Sequence, residues 1–524
     1  MNTALNFDIE ISGTDKIGKY LISNINSRKS ELAIEIHLDD DDLPIITDII
    51  SYIMLMDGEL RDTINSRIMT ELKMKKSNAI SISENINRII IDTISKWAPI
   101  SDTYSKTGIL SRYRPYFENI GFSYLFNWIM TCLMIPMYHS LGDTIGYHDG
   151  KWEFNYWSGE TAPEYVNILL YEFIELGGIN NISIKNWKCS DDTILYLATM
   201  KSLIDKDLIR NLSKLNKDEL DELATSIRDI YVSTQFMIES RHPGIATMNS
   251  LNTQKVIKWD LIPYDSRVIG AGSAMRSGFI GVIYHNNDRI SLENLVILSI
   301  VTSIITHNSA TAILGTIVAA LFTSYSIRKV SINKWPHKLL KLMRSDIIDR
   351  NFKKIKPNDY NHYQRDRIVY IGQWEKYISL LFNGIEPRSD LKFMKNPVER
   401  YRYIVENFSK GCIVPGSCGD DCLIFAYDSV LRSGGSLEKL LVYSVLHTGD
   451  SDTIGSIAFG WFCGYYNSPH LESITRPMLE KLEFFKLMKK YQAYYMIDML
   501  EYFFKVISID ITDRVIEKYK QDHK

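Results

Sequence analysis

Apolar residues recur at three- and four-residue spacing along most of the chain, which predicts helices. The stretches Ile45–Leu72, Ile86–Trp97, Phe122–Met137, Tyr165–Leu176, Thr193–Ile204 and Leu437–Leu446 carry the pattern most clearly. Alternation of period two is scarce. Leu32 to Leu38 has it and predicts one strand. The run Asp39, Asp40, Asp41, Asp42 that follows reads as a solvated turn, because consecutive carboxylates cannot all converge on one cation.

One segment is apolar enough to test against a membrane. No Asp, Glu, Lys or Arg lies between Glu293 and Arg328, but Thr306, His307, Asn308 and Ser309 interrupt the middle. The two pieces, Leu295–Ile305 and Ala312–Phe322, would each be ~16 Å long as helices, against a hydrocarbon core of ~30 Å. The expectation is two core helices meeting at a polar turn. A polar stretch at Ser101–Tyr113 places a boundary near residue 112. This gives a mostly helical N-terminal extension over 1–111, a continuous body over 112–510, and a charged tail over 511–524.

The 524 residues suffice for a large domain with an extension, and 60 basic against 63 acidic side chains leave a net charge of −3. That excludes a strong global pull on nucleic acid or an anionic membrane. Asp8, Glu10 and Asp15 interrupt the place where a signal peptide would be apolar. Six thinly spread cysteines are therefore expected as free thiols in a reducing, cytoplasmic setting. Cys412, Cys418 and Cys422 fall close together, but no His lies nearby and the spacing matches no zinc ribbon or knuckle.

Two acidic motifs carry the candidate chemistry. Ser190-Asp191-Asp192-Thr193 precedes an apolar helical run, and alone it reads as a capped helix start with carboxylates in the first turn. The second motif, Asp450-Ser451-Asp452-Thr453, also precedes an apolar helix, in which Gly455, Gly460 and Gly464 permit close approach of a neighbour. Two such helix starts facing each other would bring four carboxylates together. Those cannot all stay ionised unless cations neutralise them. An oxygen-only donor set selects hard cations, Mg²⁺ first, then Mn²⁺ or Ca²⁺.

At these residues the chain resembles the ADP-ribosylglycohydrolase family, and within it the ADP-ribosylarginine hydrolases. Gly142-Asp143-Thr144-Ile145-Gly146 resembles the family's opening block. The stretch Gly150-Lys151-Trp152-Glu153-Phe154 is similar to one typical of the arginine branch. Leu176-Gly177-Gly178, Trp187, the Gly270–Arg276 loop, Thr306-His307, Gly416 to Asp421, and Ala426-Tyr427-Asp428 follow in family order. The likeness spans roughly residues 118–480. Ser273, Thr453, Cys418, Asp420 and Cys422 depart from the usual residues.

The resemblance implies an all-α orthogonal helical bundle with two Mg²⁺ ions, Mn²⁺ being an alternative. Ser190, Asp191, Asp192, Asp450, Asp452 and Thr453 would be the ligands. The implied substrate is an ADP-ribosylated protein, cleaved to ADP-ribose at the bond between ribose C1 and an arginine guanidinium nitrogen. Asp191 or Asp192 would handle the water, and Glu153 would pair with the guanidinium. Gly270, Gly272, Ser273, Ala274, Met275, Gly416, Ser417, Gly419 and His307 would line the ADP-ribose cleft. Arg276 reads as structural, and Asp143 as a support for the opening turn. A monomer is expected, with no nucleic-acid or membrane partner. The alternatives are hydrolysis of ADP-ribosylserine or of a free ADP-ribose derivative, and a non-catalytic binder.

Overall fold

The computed structural model describes residues 122–154, 165–204, 212–253, 258–285, 289–489 and 491. Two compact units are distinguished. One includes Thr131–Met488, and the other, built from Phe7–Met130 and Lys489–Lys524, falls almost wholly outside the described residues. The strand at Leu32–Leu38, the helices at Ile45–Leu72 and Ile86–Trp97, and the boundaries near 112 and 510 all lie outside them.

The unit Thr131–Met488 is all-α. The helices that frame the site are α1 (Phe122–Tyr147), α2 (Asp191–Leu203), α3 (Lys217–Ile238), α4 (Arg289–Ile304), α5 (Ala310–Ile327), α6 (Tyr360–Leu381), α7 (Asp421–Ser433) and α8 (Ser451–Tyr466). Among the described residues the strands are a two-residue antiparallel pair, Phe382–Asn383 with Glu386–Pro387.

Local chemistry sets where these helices begin. Asn216 caps α3 in a capping box with Glu219, and the Ser309 hydroxyl accepts the Ala312 N–H at 3.2 Å to start α5. The polar turn between α4 and α5 is therefore what separates two core helices, as the sequence predicts. Helix α5 is 18 residues long with a mean hydropathy of 1.7, so by length and composition it could cross a membrane; 94% of it is buried inside the protein instead. Its Phe322 sits at the centre of an aromatic cluster, 5.2 Å from Trp335, 5.5 Å from Trp374 and 5.2 Å from Trp461, ring to ring.

Helix α1 runs on through Gly142 and Gly146, ten residues past the predicted end at Met137. In the fold these glycines are the points where α1 crosses α8. A β-carbon at Gly142 would run into the Gly455 carbonyl, and one at Gly146 into the Ser451 carbonyl. The Ser451 hydroxyl also donates to the Gly146 carbonyl at 2.8 Å. The crossing delivers the second acidic motif to Asp143 and, through it, to the first.

Under the site, Asp428 takes 2.6 Å and 2.9 Å ion pairs from Arg400 and Arg432 and accepts from the Tyr377 hydroxyl at 2.7 Å. All of Asp428 is buried, so its block in the sequence is an internal tie between α6, α7 and the helix Pro397–Phe408.

Candidate active site

Each acidic motif starts a helix, and each start uses its own side chains as a cap. The Ser190 hydroxyl accepts the Asp192 N–H at 3.1 Å, and Asp450 Oδ1 accepts the Thr453 N–H at 3.3 Å. Asp452 Oδ1 takes the same Thr453 N–H at 2.9 Å. Asp143 stitches α1 to the first motif, accepting the Ser190 N–H and Thr193 N–H at 3.0 Å each, and the Thr193 hydroxyl besides.

Asp192 joins the two starts. Its carboxylate accepts the Ser456 hydroxyl at 2.9 Å, and lies 3.4 Å from both the Ser190 and the Thr453 hydroxyl oxygens. Ser456 is one helical turn beyond Thr453 on α8; the three-residue spacing was the signal for it, and sequence reasoning missed it. Among the described residues, Asp191 takes no such hydroxyl partner.

Every member of this group is buried. Burial first, then the Asp452 charge, pushes Asp191, Asp192 and Asp450 well above the usual carboxylate range. The same two causes push Asp143 up to about 7. Carboxylates held this way are short of positive charge. The donor set is oxygen only, carboxylate and hydroxyl, which fits a hard divalent cation. One group of His, Cys, Asp and Glu atoms among the described residues lies within 4.8 Å of one another, and it is Cys412, Cys418, Asp420 and Asp421 rather than the two motifs.

Glu153 is buried, so it is not a surface carboxylate. It lies within electrostatic reach of both motifs: burial first, then Asp452, Asp450, Asp191 and Asp192, push it well above its usual range. Trp152 turns inward beside it and donates to Glu172 at 2.9 Å. The Phe154 N–H donates to the Gly449 carbonyl at 3.4 Å, which ties this stretch to the second motif. His242 contacts Glu153 at 2.7 Å, another residue that sequence reasoning missed.

The Gly270 and Gly416 loops are zipped together. Ala271 N–H donates to the Ser417 carbonyl at 2.9 Å, and Gly419 N–H to the Ile269 carbonyl at 2.7 Å. The Asp450 N–H donates to the Pro415 carbonyl at 2.9 Å, so the same strap reaches the acidic cluster. Asp421 holds the strap from beneath by accepting the Gly416 N–H at 2.7 Å and the Cys418 N–H at 3.0 Å.

His307 is buried beside Gly270 and Gly272, and a β-carbon on Gly272 would meet its ring at 3.0 Å. Burial and the Arg276 charge lower its pKa to about 3, so the ring is neutral. The side chains or Cα faces of other loop residues pack inward, which leaves their backbone groups for the cleft expected of them. Gly419 backs onto Gly315 of α5, Ser273 lies 3.4 Å from the Ala312 carbonyl, and Ala274 and Met275 line a small interior cavity with His139 and Trp461. Arg276 donates to the Gly272 and Thr302 carbonyls and the Thr306 hydroxyl at 2.7–2.9 Å, stacked 4.6 Å from Tyr231. Its role is to hold the loop.

The expectation of six free thiols is corrected at one pair. Cys412 and Cys418 form a disulfide across the strap, with Cα atoms 6.0 Å apart, while Cys132, Cys189, Cys422 and Cys463 are buried and form no disulfide. Sequence spacing alone could not see that the strap folds back on itself.

The family model for ADP-ribosylglycohydrolase matches residues 139–497, which include both motifs, Glu153 and the strap. The chain belongs to the ADP-ribosylglycohydrolase family. It is 48% identical over 391 residues to a protein of Acanthamoeba polyphaga mimivirus named as a candidate ADP-ribosyl glycohydrolase, covering 74% of each chain. It is 32% identical over 368 residues to an ADP-ribosylhydrolase of Dictyostelium discoideum, covering 66% of this chain and 88% of that one. A solved structure described as an ADP-ribosylglycohydrolase-related protein complex aligns with 71% of this chain and 99% of its own, at 17% identity and a TM-score of 0.41, too loose a likeness to add to the assignment.

Proposed function

We propose that this glycohydrolase removes ADP-ribose from arginine side chains of modified proteins. The observation that carries the reading is the buried Glu153, set within reach of both acidic motifs by the Lys151–Phe154 stretch. A buried carboxylate short of positive charge is a natural partner for a guanidinium, which offers paired donors in a plane.

Ser190, Asp191, Asp192, Asp450, Asp452 and Thr453 would hold two Mg²⁺ ions. When bound, the ions would supply the positive charge that keeps these carboxylates ionised and orients ribose hydroxyls and a water. Asp192, engaged by Ser456, Ser190 and Thr453, serves as the fixed carboxylate. Asp191, without a hydroxyl partner among the described residues, is the better candidate to take the proton of the attacking water. The water oxygen bonds to C1 as the C1–N bond breaks, with oxocarbenium character between. The electron pair goes to the leaving nitrogen, so the charged guanidinium departs as neutral guanidine. Gly270 and Gly272, with no side chains, let the backbone approach the diphosphate.

The test is ADP-ribose release from arginine-, serine- and glutamate-modified proteins in Mg²⁺. Release confined to the arginine linkage supports the reading. Release from serine but not arginine overturns it in favour of the alternative substrate, and binding without release makes the chain a non-catalytic ADP-ribose binder.

A further inference from the structure

Beside Glu153 lies an imidazole held in place from several sides. His242 follows α3 and has φ of 54°, a left-handed backbone that a non-glycine residue adopts only when its surroundings impose it. The residue before it supplies the anchor. Arg241 makes two ion-paired hydrogen bonds to Glu483, at 2.7 and 2.8 Å, and donates to the Cys189 carbonyl at 2.7 Å, one residue before Ser190. Around the ring, Tyr147 lies edge-on at 5.4 Å and Phe154 stacks at 6.4 Å. Gly150, with φ of 80°, leaves room for the imidazole, since a β-carbon there would meet its Cε1 at 2.9 Å.

The result is a contact of unequal partners. His242 Nδ1 lies 2.7 Å from Glu153 Oε2, and the imidazole is 47% exposed while the carboxylate is 2% exposed. We propose that His242 is a positioning residue for the arginine linkage: its Nδ1–H fixes one oxygen of Glu153 and leaves the other for the substrate guanidinium. This deepens the function proposed above and rests on the role given there to Glu153.

The physical need is specific. A carboxylate shut away from water to 2% exposure loses the hydration that favours its charged form, the form that pairs with a guanidinium. A donor on one oxygen favours the charged form. It also fixes the carboxylate plane, on which two-pronged recognition depends. A donor at the Nδ1 position is what matters, and an asparagine amide nitrogen reaches nearly that point.

The experiment compares steady-state kinetics of His242→Ala and His242→Asn on arginine-ADP-ribosylated protein, with thermal unfolding of each. His242→Ala is expected to raise KM about tenfold while kcat stays within about threefold, as the loss of one charge-assisted hydrogen bond to the binding group gives. His242→Asn is expected to restore KM to within about threefold of the parent. An unchanged KM in His242→Ala overturns the proposal. So does a fall in kcat and Tm shared equally by both variants, which marks a structural role. Glu153→Gln separates the two levels. If it leaves arginine-linked hydrolysis intact, the reading of Glu153 fails; if it abolishes hydrolysis while His242→Ala does nothing, only the role of His242 fails.

Discussion

Asp192 and Ser456 are 264 residues apart in the chain and 2.9 Å apart in the fold, hydroxyl to carboxylate. With the Thr453 hydroxyl at 3.4 Å from the same carboxylate, the contact ties the two helix starts together. Ser456→Ala removes the donor and leaves the ligands themselves in place. The expected result is Mg²⁺ affinity weakened about 10-fold, as for other groups that orient a metal ligand, with the fold retained. Isothermal titration of the metal-free protein checks it.

The strap over the site depends on one buried carboxylate. Asp421 accepts two backbone N–H groups, from Gly416 and Cys418, that nothing else satisfies in the same way. Asp421→Ala leaves both donors unpaired in the interior and is expected to destabilise the protein by about 1–3 kcal/mol. Chemical denaturation at neutral pH measures the change.

Asp421 also gives a pH dependence of known sign. Burial and the Asp420 charge push it up to about 7, above the value of an exposed aspartate near ~4. The folded protein then binds more protons than the unfolded chain between those values. Stability is therefore favoured below the exposed value and is lost as pH rises towards about 7. Asp143, also pushed up to about 7, acts in the same direction. In chelator, the unfolding midpoint is expected to fall across that window, and added Mg²⁺ to raise it most at the alkaline end. A midpoint that climbs from pH 4 to 7 in chelator contradicts this.

Away from the chemistry, Asp428 balances two guanidiniums, with Arg400 almost fully buried at 2% exposure and Arg432 at 14%. Asp428→Ala leaves both without a counter-charge. The expected cost is about 3–5 kcal/mol of stability. Thermal unfolding shows the loss, and activity per folded molecule stays near the parent's.

The parts of this molecule that were readable in sequence share a physical cause. Ser190 and Asp450 precede apolar runs, and a capping side chain followed by acids is how a helix starts, so both motifs were legible where they stand. The polar turn at Thr306–Ser309 separates α4 and α5 for the same reason: a cap at Ser309 restarts the helix. The continuation of α1 past Met137 was not legible, because the apolar pattern thins where Gly142 and Gly146 meet the crossing α8. That the side chains of Ser273, Ala274 and Met275 face the interior was not legible, because a Gly-rich loop does not declare which side faces α5. His242, Ser456 and the Cys412–Cys418 pairing are contacts made by the fold, and only the α-helical spacing of Ser456 left a trace in the chain.

We propose that both acidic motifs form one cation-dependent hydrolytic site for the arginine linkage, and ADP-ribose release from arginine-modified protein against free Mg²⁺, for the parent and for Asp450→Asn, tests this. Release is expected to rise with Mg²⁺, to stop in chelator, and to fall about 100-fold or more in Asp450→Asn at the same Mg²⁺. Equal release in chelator, or an Asp450→Asn protein as active as the parent, would contradict it.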